Sequence, residues 1–228
     1  MTKRKKKRGL AMLTASRFSL GVLLTALLLF APAGTPHFFR GWLLMAVLYL
    51  PMLGVGGVLL RYNPELLEKR LQGKEQDPAQ RRVVRLSGLM FIVGFSAAGL
   101  DFRYQISRMS MVLSLTAAVV LLISYGMYVE VLRENTYLAR TIRVQEGQTV
   151  IDTGLYGLVR HPMYCAVLLM FLAVPLVLGS WVSLLIFLLN PVLLVRRIRE
   201  EERLLVRELP GYDDYRKRVR YRLIPLIW

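Results

Sequence analysis

Stretches of about 20 predominantly apolar residues recur along this chain, and each is long enough for a helix to cross the ~30 Å hydrocarbon core of a bilayer. Inside a bilayer every backbone N–H and C=O must be bonded within the protein, which leaves only helices and closed barrels. The runs are continuous rather than short and alternating, so they predict helices. Spans are expected at roughly 10–31, 41–60, 86–104 and 109–130, with short links at 32–40 and 105–108. Over 228 residues the hydrophobic fraction is 55% and the mean hydropathy +0.44, more apolar surface than one soluble core of this size would hide.

The formal charge is +16, which on a soluble chain would point to nucleic acid. Its distribution argues otherwise. Of the 31 Lys and Arg, 27 fall in residues 1–8, 61–85, 130–161 and 196–228, the remainder being Arg17, Arg40, Arg103 and Arg108. Basic stretches between and after apolar runs follow the positive-inside pattern, which predicts a multi-pass protein with both termini in the cytoplasm beside anionic lipid, and no nucleic-acid partner. A single cysteine, Cys165, excludes an intrachain disulfide and a Cys-rich metal site, and with only His37 and His161 no metal is expected. The basic start followed by an apolar run and Ala31-Pro32-Ala33 imitates a cleaved signal, but the run is long for one and is read as an uncleaved first span.

In the 61–85 loop, Asn63-Pro64-Glu65 predicts a short surface helix carrying Leu66, Leu67 and Leu71; an ordinary basic connector is the alternative. Beyond Glu130 the chain changes character, which divides it into an N-terminal span region, 1–130, and a C-terminal region, 131–228. Residues 131–163 are polar and Gly-punctuated, too long for a simple turn. Tyr164 to Val195 is apolar again but interrupted by Pro175, Gly179 and Asn190-Pro191, which predicts two short helices turning at Gly179-Ser180 as a membrane-embedded hairpin. A charged helix from Arg196, broken at Pro210-Gly211, completes the chain.

Three constellations carry candidate chemistry. In the first, 153–164, Pro162 is suited to an initial helical turn, so His161 would stand at a cap with free N–H groups beside it. Such an end attracts a carboxylate or phosphate; alternatively Arg160 and His161 only anchor a helix at the headgroups. In the second, Val195, Ile198, Glu202, Leu205 and Leu209 recur at spacings of three and four, placing Glu202 in an apolar stripe where its carboxylate needs a partner. That partner is either a neighbouring arginine such as Arg199 or a cationic ligand. In the third, 211–225 mixes tyrosines and arginines, with Tyr215 and Arg222 as candidate substrate contacts or interfacial anchors.

The ordered set Gly154-x-Tyr156-x-x-x-Arg160-His161-Pro162-x-Tyr164, Arg197-Ile198-x-x-Glu201-Glu202-x-x-Leu205, Gly211-x-x-x-Tyr215 and Arg222-x-x-Pro225 closely resembles the isoprenylcysteine carboxyl methyltransferase family, and is similar to the related phospholipid methyltransferases. The resemblance covers about the last 100 residues, including Asn135 and Tyr137; the four preceding spans match only in apolar character. It implies an integral membrane enzyme whose last helices and connecting loop enclose S-adenosylmethionine, open to the cytoplasm. Together with the spans read above, the expected fold is all-α: four N-terminal transmembrane helices, a C-terminal membrane-embedded hairpin and a cytoplasmic cofactor-binding helix. Carried over, the cofactor site falls on Tyr156, Arg160, His161, Pro162, Tyr164, Glu201 and Glu202. Asn135, Tyr137, Tyr215 and Arg222 are the candidate substrate contacts, with Arg160 or Arg222 orienting a carboxylate acceptor. Leu155 stands where the family commonly has Pro, and a third acid, Glu200, precedes the pair.

The expected activity is therefore methyl transfer to a lipid or lipidated acceptor, either an isoprenylcysteine-like carboxylate or a phospholipid amine. Two other classes compete. An NAD(P)H-dependent membrane reductase of the sterol-reductase type has a similar C-terminal membrane region, but no dinucleotide fingerprint is evident here. A non-enzymatic transporter or assembly protein would place ionisable residues within spans, where only Arg17 lies well inside one.

Overall fold

The computed structural model describes residues 3–72, 78–138 and 144–228, with the side chains of 3–6, 72 and 79 outside the description. The start of the basic N-terminal run, the middle of the 61–85 loop and part of the 131–163 connector therefore lie beyond it. All regular structure among the described residues is helical.

Helices α1 (Lys3–Ala33), α2 (Phe39–Tyr62) and α4 (Pro78–Tyr104) contain the first three expected spans, α5 (Met111–Glu134) begins two residues after the expected start of the fourth, and α3 (Pro64–Gln72) is the short helix predicted after Asn63. The Asn63 side chain accepts from the Leu66 N–H at 3.1 Å, which caps that start. Among the described residues, five helical stretches are long and apolar enough to cross a membrane: α1, α2, α4, α5 and Trp181–Glu208, the last made of two consecutive helices. The apolar helix α6 (Pro162–Leu178) is shorter.

The region after Tyr164 differs in detail from the sequence expectation. Pro175 does not interrupt the chain, because α6 continues through it to Leu178 and ends at Gly179, whose φ of 71° is left-handed. Ser180 then caps α7 (Trp181–Phe187), accepting from the Ser183 N–H at 3.0 Å. The next break falls at Leu188–Leu189, and Pro191 sits in the first turn of α8 (Asn190–Glu208). The apolar start of α8 and its charged end are thus one helix, not a membrane arm followed by a separate surface helix. Leu209 closes α8, and Gly211, at φ 83°, introduces α9 (Tyr212–Arg218).

The bundle has two polar ends. At one, Ser114 at the start of α5 donates to the Leu176 carbonyl at the end of α6 (3.0 Å), so these two helices run antiparallel. Buried Asp101 of α4 joins this end by accepting from the Ser107 N–H (2.7 Å), the Ser107 hydroxyl (2.6 Å) and the Ser180 hydroxyl. The opposite end holds α3, the end of α5, the start of α6, the end of α8 and α9. Between the ends, Leu29, Phe38, Leu44, Phe95, Leu121, Val177 and Phe187 form the centre of the core, where Phe91, Phe171 and Phe187 meet edge to face.

Gly99 sets the approach of α4 to α1. A Cβ there would stand 2.4 Å from the Leu29 carbonyl oxygen and 3.1 Å from the Ala33 nitrogen, and backbone cannot rotate away as a side chain can. Gly99→Ala is expected to force the helices apart at a cost of about 1–3 kcal/mol. Gly88→Ala on the same helix, where nothing lies within 4 Å, should be neutral or slightly stabilising through helix propensity. Thermal melting in detergent checks this, and equal melting of the two variants would refute the close-packing account.

Candidate functional site

The polar end of the bundle is assembled around Glu202. Its position in the apolar stripe of α8 turns it into the protein, where it is 5% exposed. Its partners are not Arg199, one turn back and exposed, but residues distant in sequence. Arg160 donates Nε–H to Oε1 at 2.7 Å, Arg222 donates Nε–H to Oε2 at 2.7 Å, and His161 Nε2 lies 3.3 Å from Oε1. A neighbour on the same helix face reaches the surface more easily than the interior, so the buried carboxylate draws its counter-charges from the elements packed over it.

Arg160 is buried and committed to this arrangement. One terminal nitrogen donates to the carbonyls of Val219 and Arg220, both at 3.0 Å, and more weakly to Arg216 at 3.4 Å. The guanidinium thus ties α8 to the strap that follows α9. The backbone N–H groups of Arg160 and His161 are also taken, by the carbonyls of Tyr221 and Arg222 at 2.9 Å each. The segment 219–228 that follows α9, the strap, thus supplies acceptors to the two residues preceding α6, while in the first turn of α6 the Tyr164 and Cys165 N–H groups bond back to the His161 carbonyl (3.0 and 3.2 Å). Arg222 itself stacks on Trp228, 5.2 Å from the ring centroid, and the Trp228 carbonyl accepts from the N–H groups of Arg222, Leu223 and Ile224.

The three consecutive acids separate by direction, since successive helical residues point about 100° apart. Glu200 pairs with Arg203 on the exposed face (3.1 Å), Glu202 is buried, and Glu201 lines a cleft. Glu201 Oε2 accepts from the Tyr164 hydroxyl at 2.5 Å, and Arg197 donates to the same Tyr164 oxygen at 3.0 Å. Glu201 Oε1 has no hydrogen bond among the described residues.

The cleft contains about 570 Å³ of empty space including its open mouth. Of the sequence-derived candidates, Asn135, Tyr156, Arg160, His161, Tyr164, Glu201 and Tyr215 line it. Glu202, Arg222, Pro162 and Tyr137 do not. Pro162 opens α6, and Tyr137 ties the connector by donating to the Gly147 carbonyl at 3.0 Å. A single 3-10 turn, Gly154–Gly157, carries Tyr156 between α5 and α9: Asn135 donates to its hydroxyl (2.9 Å), and Tyr215 donates to its carbonyl (2.8 Å). Burial pushes the Tyr156 phenol up to about 12, outweighing the Asn135 hydrogen bond, which lowers it. The phenol therefore stays protonated at neutral pH. Tyr212 also lines the cleft, and sequence reasoning did not single it out; the signal available was its place directly after the Pro210-Gly211 break.

A carboxylate open to the cleft beside protonated phenols suits a ligand that carries both hydrogen-bond donors and acceptor atoms. An apolar groove lies alongside, with about 1430 Å³ of empty space, between α1, α2, α3 and α5. Gly56 and Gly57 face open space in it, and Arg17 and Arg70 line it, donating to the Leu71 carbonyl and the Tyr128 hydroxyl. Leu132 of α5 lines this groove and Asn135 lines the polar cleft, so one helical turn separates the two.

Fold and site together describe a helical membrane protein with a polar cleft at the end of its bundle, next to an apolar groove among its spans. Residues 115–207 match the family model of the isoprenylcysteine carboxyl methyltransferase (ICMT) family. The chain is also 35% identical over 91 residues to the Delta(14)-sterol reductase TM7SF2 of Mus musculus. That similarity covers 39% of this chain and 22% of the reductase, so the chain spans less than a quarter of that relative's length.

Proposed function

We propose that the protein is a membrane methyltransferase that moves a methyl group from S-adenosylmethionine to a lipid-soluble acceptor carrying a carboxylate or an amine. The observation that carries this reading is the juxtaposition along α5 of a polar cleft containing Glu201 and an apolar groove lined by α1, α2, α3 and α5. When bound, S-adenosylmethionine supplies an electrophilic methyl group. The protein's own tasks are then alignment of donor and acceptor and exclusion of water. Glu201 accepts hydrogen bonds from the cofactor's amino or hydroxyl groups, with Tyr164 and Arg197 fixing its orientation. Tyr156 forms a phenol-bearing wall. Arg160 and Arg222 act as positioning residues, holding Glu202 and through it His161. Asn135 positions Tyr156 where groove and cleft meet, and the acceptor's reacting group enters there while its chain stays in the groove.

The cleft faces the cytoplasm in this reading, because the basic N-terminus of α1 and the arginines of α8, α9 and the strap gather at its end of the bundle. The match to a sterol reductase favours a second reading, reduction with NADPH, in which the same cleft holds a nicotinamide cofactor. Titration calorimetry on detergent-purified protein separates the two. Saturable binding of S-adenosylhomocysteine without binding of NADPH is expected, and the reverse result would replace the methyltransferase reading with the reductase one.

A further inference from the structure

Tyr212 opens α9 immediately after the left-handed Gly211, and its side chain is 4% exposed on the wall of the cleft. Its hydroxyl has no hydrogen-bond partner among the described residues. The other phenols of the cleft all do: Tyr156 accepts from Asn135, Tyr164 donates to Glu201, and Tyr215 donates to the Tyr156 carbonyl. Phenylalanine would fill the same space without the penalty of an unbonded buried hydroxyl. A polar group in that position is accounted for if a bound molecule completes its hydrogen bond.

Chemistry narrows what that molecule presents. Burial, and after it the charges of Glu202 and Glu201, raise the proton affinity of the Tyr212 phenol, so it remains an O–H. Glu201 already gives the cleft an acceptor. The bond Tyr212 lacks is one in which it donates, to a ligand oxygen or nitrogen.

We propose that Tyr212 is a ligand-contacting residue whose phenolic O–H donates to an acceptor oxygen or nitrogen of the molecule bound in the cleft. The identity of that molecule as S-adenosylmethionine rests on the function proposed above; the existence of the bond does not. The test is calorimetric titration of S-adenosylhomocysteine, with NADPH in parallel, into wild type and Tyr212→Phe, together with melting of both proteins without ligand. The affinity of Tyr212→Phe for S-adenosylhomocysteine is expected to fall about tenfold, as loss of one hydrogen bond implies, while its melting temperature holds or rises. Unchanged affinity overturns the proposal. A variant that fails to fold, or melts lower at wild-type affinity, also overturns it, because the hydroxyl would then have an internal partner. Wild type that binds only NADPH, with about tenfold weakening in Tyr212→Phe, removes the methyltransferase reading and keeps the contact. Wild type that binds neither compound removes both.

Discussion

Glu202→Ala is expected to destabilise the protein by about 3–5 kcal/mol, because it leaves Arg160 buried without its counter-charge. Arg160 and Glu202 side chains are only 5% and 6% exposed, so water cannot replace the lost partner. Glu202→Ala should also weaken S-adenosylhomocysteine binding, since His161 and the Arg222 strap lose the carboxylate that orients them. Melting in detergent and a double-mutant cycle check this. The Arg160→Met/Glu202→Leu protein should be more stable than Arg160→Met or Glu202→Leu alone, because no fully buried charge is left unpaired and Arg222, a third exposed, can be solvated. Strict additivity of the two would show that the ion pair is not the organising contact. Arg160→Lys should behave almost as badly as Arg160→Met, because an ammonium cannot engage Glu202 and the carbonyls of Val219 and Arg220 in the same planar fork.

The second large effect concerns binding rather than stability. Glu201→Gln is expected to lower affinity for S-adenosylhomocysteine by about ten- to a hundredfold, the range of one charge-assisted hydrogen bond. Glu200→Gln should change it less than twofold, since Glu200 points to solvent and pairs with Arg203. Each substitution removes one negative charge from adjacent positions of α8, so a bulk electrostatic effect would move both alike. Equal losses in the two variants would discard the assignment of Glu201 to the cleft's recognition chemistry.

Much of this arrangement is legible in sequence because it depends on local pattern. Apolar runs locate α1, α2, α4 and α5, and Asn63-Pro64 marks the start of α3, since length, capping and proline geometry act within a few residues. The stripe of α8 likewise points Glu202 inward without any knowledge of neighbours. The passage of α6 through Pro175 is not legible in this way: proline disfavours a helix interior, and packing against α5 outweighs that local cost.

By itself the sequence determined that the chain is helical, built for a membrane, and that its polar chemistry is concentrated after residue 131, because hydropathy and helical periodicity are properties of consecutive residues. Only the tertiary structure decided which groups meet. It brought Arg160 and Arg222 to Glu202 across 42 and 20 residues of chain, gave the Arg160 and His161 N–H groups to the strap, and set Tyr212 against the cleft without a partner. Those choices turn on counter-charge and hydrogen-bond satisfaction in a buried space, and that space exists only once α5, α6, α8 and α9 have packed.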